Sequence, residues 1–376
     1  MKVKLAAVFI ILSLFPFYVL SAGADRSPPE PRVSAESAVL IEADTNEIIF
    51  KLNAEKKLPM ASTTKIMTSL IALENGDLDE KFSIPADVVG VEGSSVYLKE
   101  GETVTLRDLL FALMLESAND AAAAIAYRIG GDVERFSELM NKKAQELGLE
   151  NTHFTNPHGL DDKDHFTTSY DLAKLTCIAL ANEEFERIVS TRETDAFLCG
   201  TPRKLVNHNR LLNSLDGAIG VKTGFTKRSG RCLVSAVKRD GVLTVAVTLN
   251  DPNDWSDHRS LHEYGQSLYK RRKLTEPGSI SVDIPVIGGE KSKVRCSCDD
   301  TLLVVLKNKE KTKLTVEAPR FVPAPVRRGD AIGKVVFSVH GKTVGSAPLY
   351  AGSDVAEKRD KQSFFEKILE LLGKAN

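Results

Sequence analysis

Hydrophobic positions change their spacing several times along the chain, and each change predicts a different element. Residues 38–43 and 47–51 are apolar-rich runs around Asp44-Thr45-Asn46, which reads as two strands joined by a hairpin turn. Helical spacing follows. The stretch 62–73 puts Ile66, Met67 and Leu70 on one face, and 106–115 opens with Thr105-x-x-Asp108 in the manner of a capping box. After Ser117-Ala118-Asn119, Asp120 is placed to cap an alanine-rich helix that ends at Gly130-Gly131. The tripeptide therefore sits at a helix-to-helix junction, where side chains can face a ligand instead of a core.

Alternation returns at 219–225, 232–238 and 242–249, separated by Lys227-Arg228-Ser229-Gly230 and Asp240-Gly241, and predicts an antiparallel meander. Strands at both ends of a helical middle imply one α/β (α+β) domain over 34–272, an antiparallel sheet with a helical layer against it. Beyond Glu276-Pro277 only short alternating segments remain, at 279–284, 293–297, 302–306, 314–317 and 335–340, so 276–350 is expected to be a small all-β, sandwich-like domain. The tail, 351–376, contains a segment with Phe364, Phe365, Ile368, Leu369, Leu371 and Leu372 opposite Glu366, Lys367 and Glu370. This is an amphipathic helix too short to span a bilayer. It is either an in-plane membrane foot or a helix docked on the protein. Five acids against five bases in the tail leave binding to the apolar face, and a membrane surface is the favoured partner.

Composition narrows the classes. With 50 basic and 51 acidic residues the chain has no field to gather a polyanion, so nucleic acid is set aside. Lys2 and Lys4 precede an apolar run over 5–20, followed by Ala22-Gly23-Ala24, a small-residue cleavage site. Residues 1–24 are thus expected to be a removed export signal and 25–33 a proline-rich linker, with the mature chain outside the cytoplasm; an uncleaved anchor is the alternative. Five cysteines are too few for a disulfide framework, and Cys296-x-Cys298 lacks the second pair of a zinc site. No metal or other cofactor is implied.

Ser62-Thr63-Thr64-Lys65 puts a hydroxyl and an amine one helical turn apart on one face. A serine nucleophile needs a base within hydrogen-bond reach, and a helix N-terminus offers free N–H groups, the Ser62 amide among them, to developing negative charge. Lys222-Thr223-Gly224 falls on a predicted strand. An ammonium beside a hydroxyl suits a carboxylate, and a glycine lets substrate backbone lie along the strand edge. Each motif alone is a common accident, a surface helix start or a lysine-protected edge strand. Together, S-x-x-K, S-x-N 55 residues later and K-T-G a further 105 residues on form an ordered set.

That set resembles the low-molecular-mass penicillin-binding proteins, serine D-alanyl-D-alanine carboxypeptidases with a β-lactamase/transpeptidase-like domain. The resemblance extends to Gly93-Ser94-Ser95, Asp120, the 147–154 stretch, His158-Gly159-Leu160, and the β domain and terminal helix, a stalk and membrane foot in these enzymes. It implies that Ser62 is acylated by the penultimate D-Ala of peptidoglycan stem peptides ending in D-Ala-D-Ala, and by β-lactam antibiotics as covalent inhibitors. It further implies Lys65 as base, Ser117 as proton relay, and Asn119 as a donor to the substrate amide and to Lys65. Lys222 and Thr223 would hold the terminal carboxylate, with Gly224 beside them along the substrate, and the Phe225 amide would complete the oxyanion hole. Arg259 is either a second carboxylate partner or a solvated helix charge. A base at Lys65 must be neutral, and burial beside the Lys222 charge would lower its pKa.

Other chemistries fit less well. No G-x-S-x-G elbow occurs, and His262-Glu263 begins a zinc-protease pattern that Gln266 ends. His153, His158 and His165 fit a turn-rich loop. A β-lactamase stays open as a second reading, although no E-x-x-L-N segment is found, and so does a non-catalytic wall-binding or shape-maintaining protein.

Overall fold

The computed structural model describes residues 29–198 and 200–358; the expected signal at 1–24 and the amphipathic segment at 363–372 lie outside the described residues. Two strands open the domain, β1 (Ser37–Glu42) and β2 (Glu47–Leu52), paired antiparallel across the expected hairpin. A 3₁₀ turn, Ala61–Thr64, leads into α1 (Lys65–Asn75). The helix expected from residue 62 thus begins three residues later, with Ser62 in the tighter turn. Two three-residue strands, β3 (Lys81–Ser83) and β4 (Thr103–Thr105), flank a long loop, after which come α2 (Leu106–Leu115) and α3 (Asn119–Gly130). The Thr105 side chain accepts from the Asp108 amide, as the capping pattern predicts.

Asp120 does not cap α3. The N-cap position is Ala118, and the Asp120 carboxylate turns to the 95–98 loop, because donors there outnumber those its own helix offers. Next come α4 (Val133–Glu146), α5 (Ser169–Leu180), α6 (Glu183–Ser190), a hairpin of β5 (Glu193–Leu198) and β6 (Thr201–Val206), and the single turn α7 (Leu211–Ser214). The meander is present as β7 (Ala218–Thr226), β8 (Gly230–Arg239) and β9 (Val242–Leu249), and α8 (Asp254–Leu268) completes the domain.

The five-stranded sheet runs β2-β1-β9-β8-β7, antiparallel throughout, so the first strands pair with the last and β7 is left at an edge. Helices cover both faces, where a single layer was expected. Every residue of β1 is buried; Val39 and Ile41 face the main core under α1–α3 and α5, while Ala38 and Leu40 meet Leu261 of α8. A strand buried on both sides loses the alternation that marks a one-sided sheet. Leu109, Leu110 and Leu113 of α2 are fully buried, so truncating any of them costs about 2–5 kcal/mol. On the opposite face α8 docks through a polar chain: His258 and His262 share the Ser235 hydroxyl at 2.6 and 2.7 Å, and their far nitrogens reach Thr248 at 2.9 Å and Thr244 at 2.8 Å.

The second domain is all β, as expected. β10 (Tyr269–Lys273) leaves α8 and later pairs with β13 (Leu303–Lys307). The strands β11 (Ser281–Ile287), β12 (Lys293–Ser297), β14 (Lys313–Glu317), β15 (Val322–Pro323), β16 (Ala331–Val339) and β17 (Lys342–Ala351) form a six-stranded sheet over a core of Ile284, Val294, Cys296, Phe337 and Leu349. The long strand β17, which contains Gly345 and Pro348, lies beyond the alternating segments expected from the sequence. Its pairing with β12 reaches only Tyr350 and Ala351, which leaves Pro348 beyond that neighbour. Tyr269 Oη donates to Glu47 at 2.8 Å and Lys307 pairs with the same carboxylate, tying the two domains together.

Candidate active site

Three segments of the site carry backbone of positive φ, and two of them meet at Ser62. Ala61, immediately before it, has φ +47°, and Ser117 has φ +61°, both in the left-handed region that non-glycine residues seldom occupy. For Ser117 this conformation makes the sharp junction between α2 and α3. Gly159 has φ +90° and lies so close that a Cβ on it would stand 1.9 Å from the Ala61 carbonyl oxygen and 2.9 Å from the Ser62 amide nitrogen.

Lys65 is fully buried and its ammonium nitrogen has three oxygen neighbours: Ser62 Oγ at 2.8 Å, Asn119 Oδ1 at 2.8 Å and the His158 carbonyl at 2.6 Å. Burial, with the Lys222 charge adding to it and Asp120 opposing, holds the Lys65 amine well below its ordinary value. Neutral, Nζ keeps two N–H donors and gains a lone pair that can take the Ser62 proton.

Asn119 is oriented by backbone on its other side, its Nδ2 donating to the Glu92 carbonyl at 2.6 Å and its amide N–H to the Ser94 carbonyl at 2.7 Å. Across the site, β7 presents Lys222, 1% exposed, with Nζ 3.0 Å from the Thr223 carbonyl and burial pushing its pKa down to about 7. Thr223 is half-buried beside it. Gly224 abuts the turn that carries Ser62: a Cβ there would stand 3.0 Å from the Ser62 nitrogen and 3.1 Å from Ala61 Cβ. Phe225 follows on the same edge strand and is 66% exposed.

The structure therefore gathers Ser62, Lys65 and Asn119 into direct contact and brings Gly224 of β7 against the Ser62 turn. Arg259, on α8, donates from its Nη2 to the Ser214 carbonyl at 2.8 Å. The 153–165 loop, read from sequence as a turn-rich connection, contributes more than that. Thr68 Oγ1 donates to the Pro157 carbonyl at 2.6 Å, and Thr64 Oγ1 and His165 Nε2 are 2.8 Å apart, so the loop is fastened along α1 and delivers the His158 carbonyl to Lys65. Both imidazoles are held neutral by burial, His158 at about 3 and His165 at about 4. Sequence reasoning missed this carbonyl because a backbone oxygen has no side-chain signature; the tripeptide His158-Gly159-Leu160 was the only hint.

Known proteins place the chain in context. Residues 24–253 match the D-alanyl-D-alanine carboxypeptidase family, and 269–357 match the penicillin-binding protein 5 C-terminal domain. The chain is 30% identical over 334 residues to D-alanyl-D-alanine carboxypeptidase DacF of Bacillus subtilis, covering 85% of this chain and 86% of that protein. It is 29% identical over 374 residues to DacC of Escherichia coli, covering 94% and 92%. Penicillin-binding protein 5 from Haemophilus influenzae superposes with a TM-score of 0.66 at 28% identity, over 88% of this chain and 100% of that one. With well over half its length matched, and both domains accounted for, the chain belongs to the D-alanyl-D-alanine carboxypeptidase family of hydrolases.

Proposed function

We propose that this protein cleaves the terminal D-alanine from peptidoglycan stem peptides through an acyl-enzyme on Ser62. The observation that carries the reading is the 2.8 Å contact between Ser62 Oγ and a buried lysine amine whose proton is weakly held. Neutral Lys65 takes the Ser62 proton as Oγ attacks the carbonyl carbon of the penultimate D-Ala. The oxyanion that forms points to the Ser62 and Phe225 amides, on the turn and strand edge that meet at Gly224. The C–N bond then breaks and the proton passes from Lys65 through the Ser117 hydroxyl to the departing amine. Water hydrolyses the remaining ester and restores Ser62.

Substrate is held in two places. The free carboxylate of the terminal D-Ala pairs with Lys222 and the Thr223 hydroxyl; an incoming anion favours the charged lysine, whose proton, with a pKa of about 7, is otherwise about half lost at neutral pH. Asn119 donates to the substrate amide while its oxygen stays on Lys65. The edge position of β7 leaves a strand open to an extended peptide. β-Lactams, with a strained amide and a carboxylate in one molecule, enter the same cycle and stop at the ester. The work is done outside the cytoplasm, at the outer face of the membrane, for which the apolar face of the 363–372 segment is the proposed attachment.

The test is mass spectrometry of the intact protein after benzylpenicillin, with the adduct mapped by digestion, beside an assay for D-Ala released from a peptide ending in D-Ala-D-Ala. A persistent adduct on the Ser62 peptide and D-Ala release are expected. Rapid penicillin turnover without an adduct would instead indicate a β-lactamase, and no D-Ala release a non-catalytic protein.

A further inference from the structure

The carboxylate of Asp120, the residue that follows Asn119, is 1% exposed, and its partners are all neutral donors. Its Oδ2 accepts from Ser95 Oγ at 2.6 Å and from the Leu98 amide at 3.0 Å; its Oδ1 accepts from the Val96 amide at 3.2 Å and the Ala121 amide at 2.9 Å. Three of the four donors belong to the 95–98 loop, and this loop continues the backbone whose Glu92 and Ser94 carbonyls hold Asn119. Gly93, with φ +94°, lies so near that a Cβ would be 2.7 Å from Asn119 Nδ2. Residues 92–94 thus fit closely against Asn119, at both its side chain and its main-chain amide.

We propose that Asp120 is a positioning residue for acylation: its buried carboxylate folds the 95–98 loop over the start of α3, the folded loop holds Asn119 on Lys65, and its charge is set against that of Lys222 at the Lys65 amine. The inference rests on Lys65 as the acceptor of the Ser62 proton and deepens that reading. Without the carboxylate, Ser95, Val96 and Leu98 lose their common acceptor, the Glu92 and Ser94 carbonyls are no longer held in place, and the Asn119 amide is free to leave Lys65.

The electrostatic half follows from the groups around Lys65. From β7, Lys222 drives its proton off; from α3, Asp120 retains it; from the 153–165 loop, His158 and His165 are neutral; Ser62, Asn119 and the His158 carbonyl are uncharged. Removing the Asp120 charge leaves Lys222 unopposed, so Lys65 gives up its proton at lower pH. A purely architectural carboxylate would leave that titration where it is.

The experiment compares Asp120→Asn and Ser95→Ala with the wild-type chain, measuring the second-order rate constant of benzylpenicillin acylation from about pH 4 to 9, with thermal melts to confirm folding. Asp120→Asn turns an oxygen that accepts two of these hydrogen bonds into a donor and is expected to acylate on the order of 10- to 100-fold more slowly, with its acid limb moved to lower pH. Ser95→Ala loses a loop bond and keeps the charge, so it should slow acylation about threefold to tenfold with the acid limb unmoved. An unmoved limb in Asp120→Asn, or a wild-type rate in Ser95→Ala, overturns the proposal. Absence of a Ser62 adduct in the wild type would instead overturn the parent reading, so the two failures are distinguishable.

Discussion

Gly159→Ala offers a severe test of the site because the structure sets both the size of the perturbation and where it lands. An added Cβ would sit 1.9 Å from the Ala61 carbonyl oxygen, where real contacts stop near 3.0 Å, so the two backbones must separate by about 1.1 Å. Neither has slack. Ala61 is already at φ +47°, and its carbonyl accepts from Thr64 Oγ1 at 2.8 Å. The displacement therefore passes directly to Ser62. A left-handed alanine costs about 1–2 kcal/mol and the overpacking about 1–3 kcal/mol more, so stability should fall by roughly 2–5 kcal/mol. Misplacing a nucleophile by about 1 Å costs on the order of 100-fold in rate. Gly101→Ala is the control: its φ is +76° but nothing lies within 4 Å of the new Cβ, so it should pay the backbone strain alone and acylate normally. Thermal melts and benzylpenicillin acylation rates on both variants provide the comparison. A folded Gly159→Ala protein acylating within about threefold of wild type would refute the claim that this glycine sets the position of Ser62.

Lys65→Ala should slow formation of the Ser62 adduct by about 10²- to 10⁴-fold, the usual worth of a positioned base, as read from intact mass against time; wild-type kinetics would remove Lys65 from the mechanism. The pH profile of kcat/KM should rise as Lys65 becomes neutral and fall as Lys222 loses its proton at about 7. Lys222→Gln should abolish the falling limb and move the rising one to higher pH, because the repulsion on Lys65 is gone. An unchanged profile in that variant would contradict both assignments. Burial holds His262 at about 3 and His258 well below its ordinary value, so the unfolded chain binds more protons than the folded one below about pH 6.5. Stability should fall from there toward pH 3, by up to roughly 5 kcal/mol from His262 alone, and urea midpoints should fall less steeply in His262→Gln. An identical slope in the variant would show that α8 is not docked through neutral imidazoles.

Much of this protein is readable without coordinates, because some of its information is local. The β7–β9 meander declares itself through alternation and turn residues, α2 through Thr105 and Asp108, and the chemistry through three short motifs whose residue types do the same work wherever they are placed. Local signals failed where tertiary neighbours set the outcome. β1 is buried on both faces because α8 returns to cover it, β17 tolerates Pro348 because β12 stops short, and Asp120 leaves its own helix for donors more than twenty residues earlier.

By itself, then, the sequence determined which groups are available to react and what class of reaction they suit. What only the folded chain decided is that Lys65 can be a base at all, since an amine is driven to neutrality by burial and by the field of Lys222, which lies 157 positions further along the sequence. Likewise the carbonyl of His158, the close approach of Gly159 to Ala61 and the fit of Gly93 against Asn119 are distances between backbones, and no pattern of side chains along one segment encodes them.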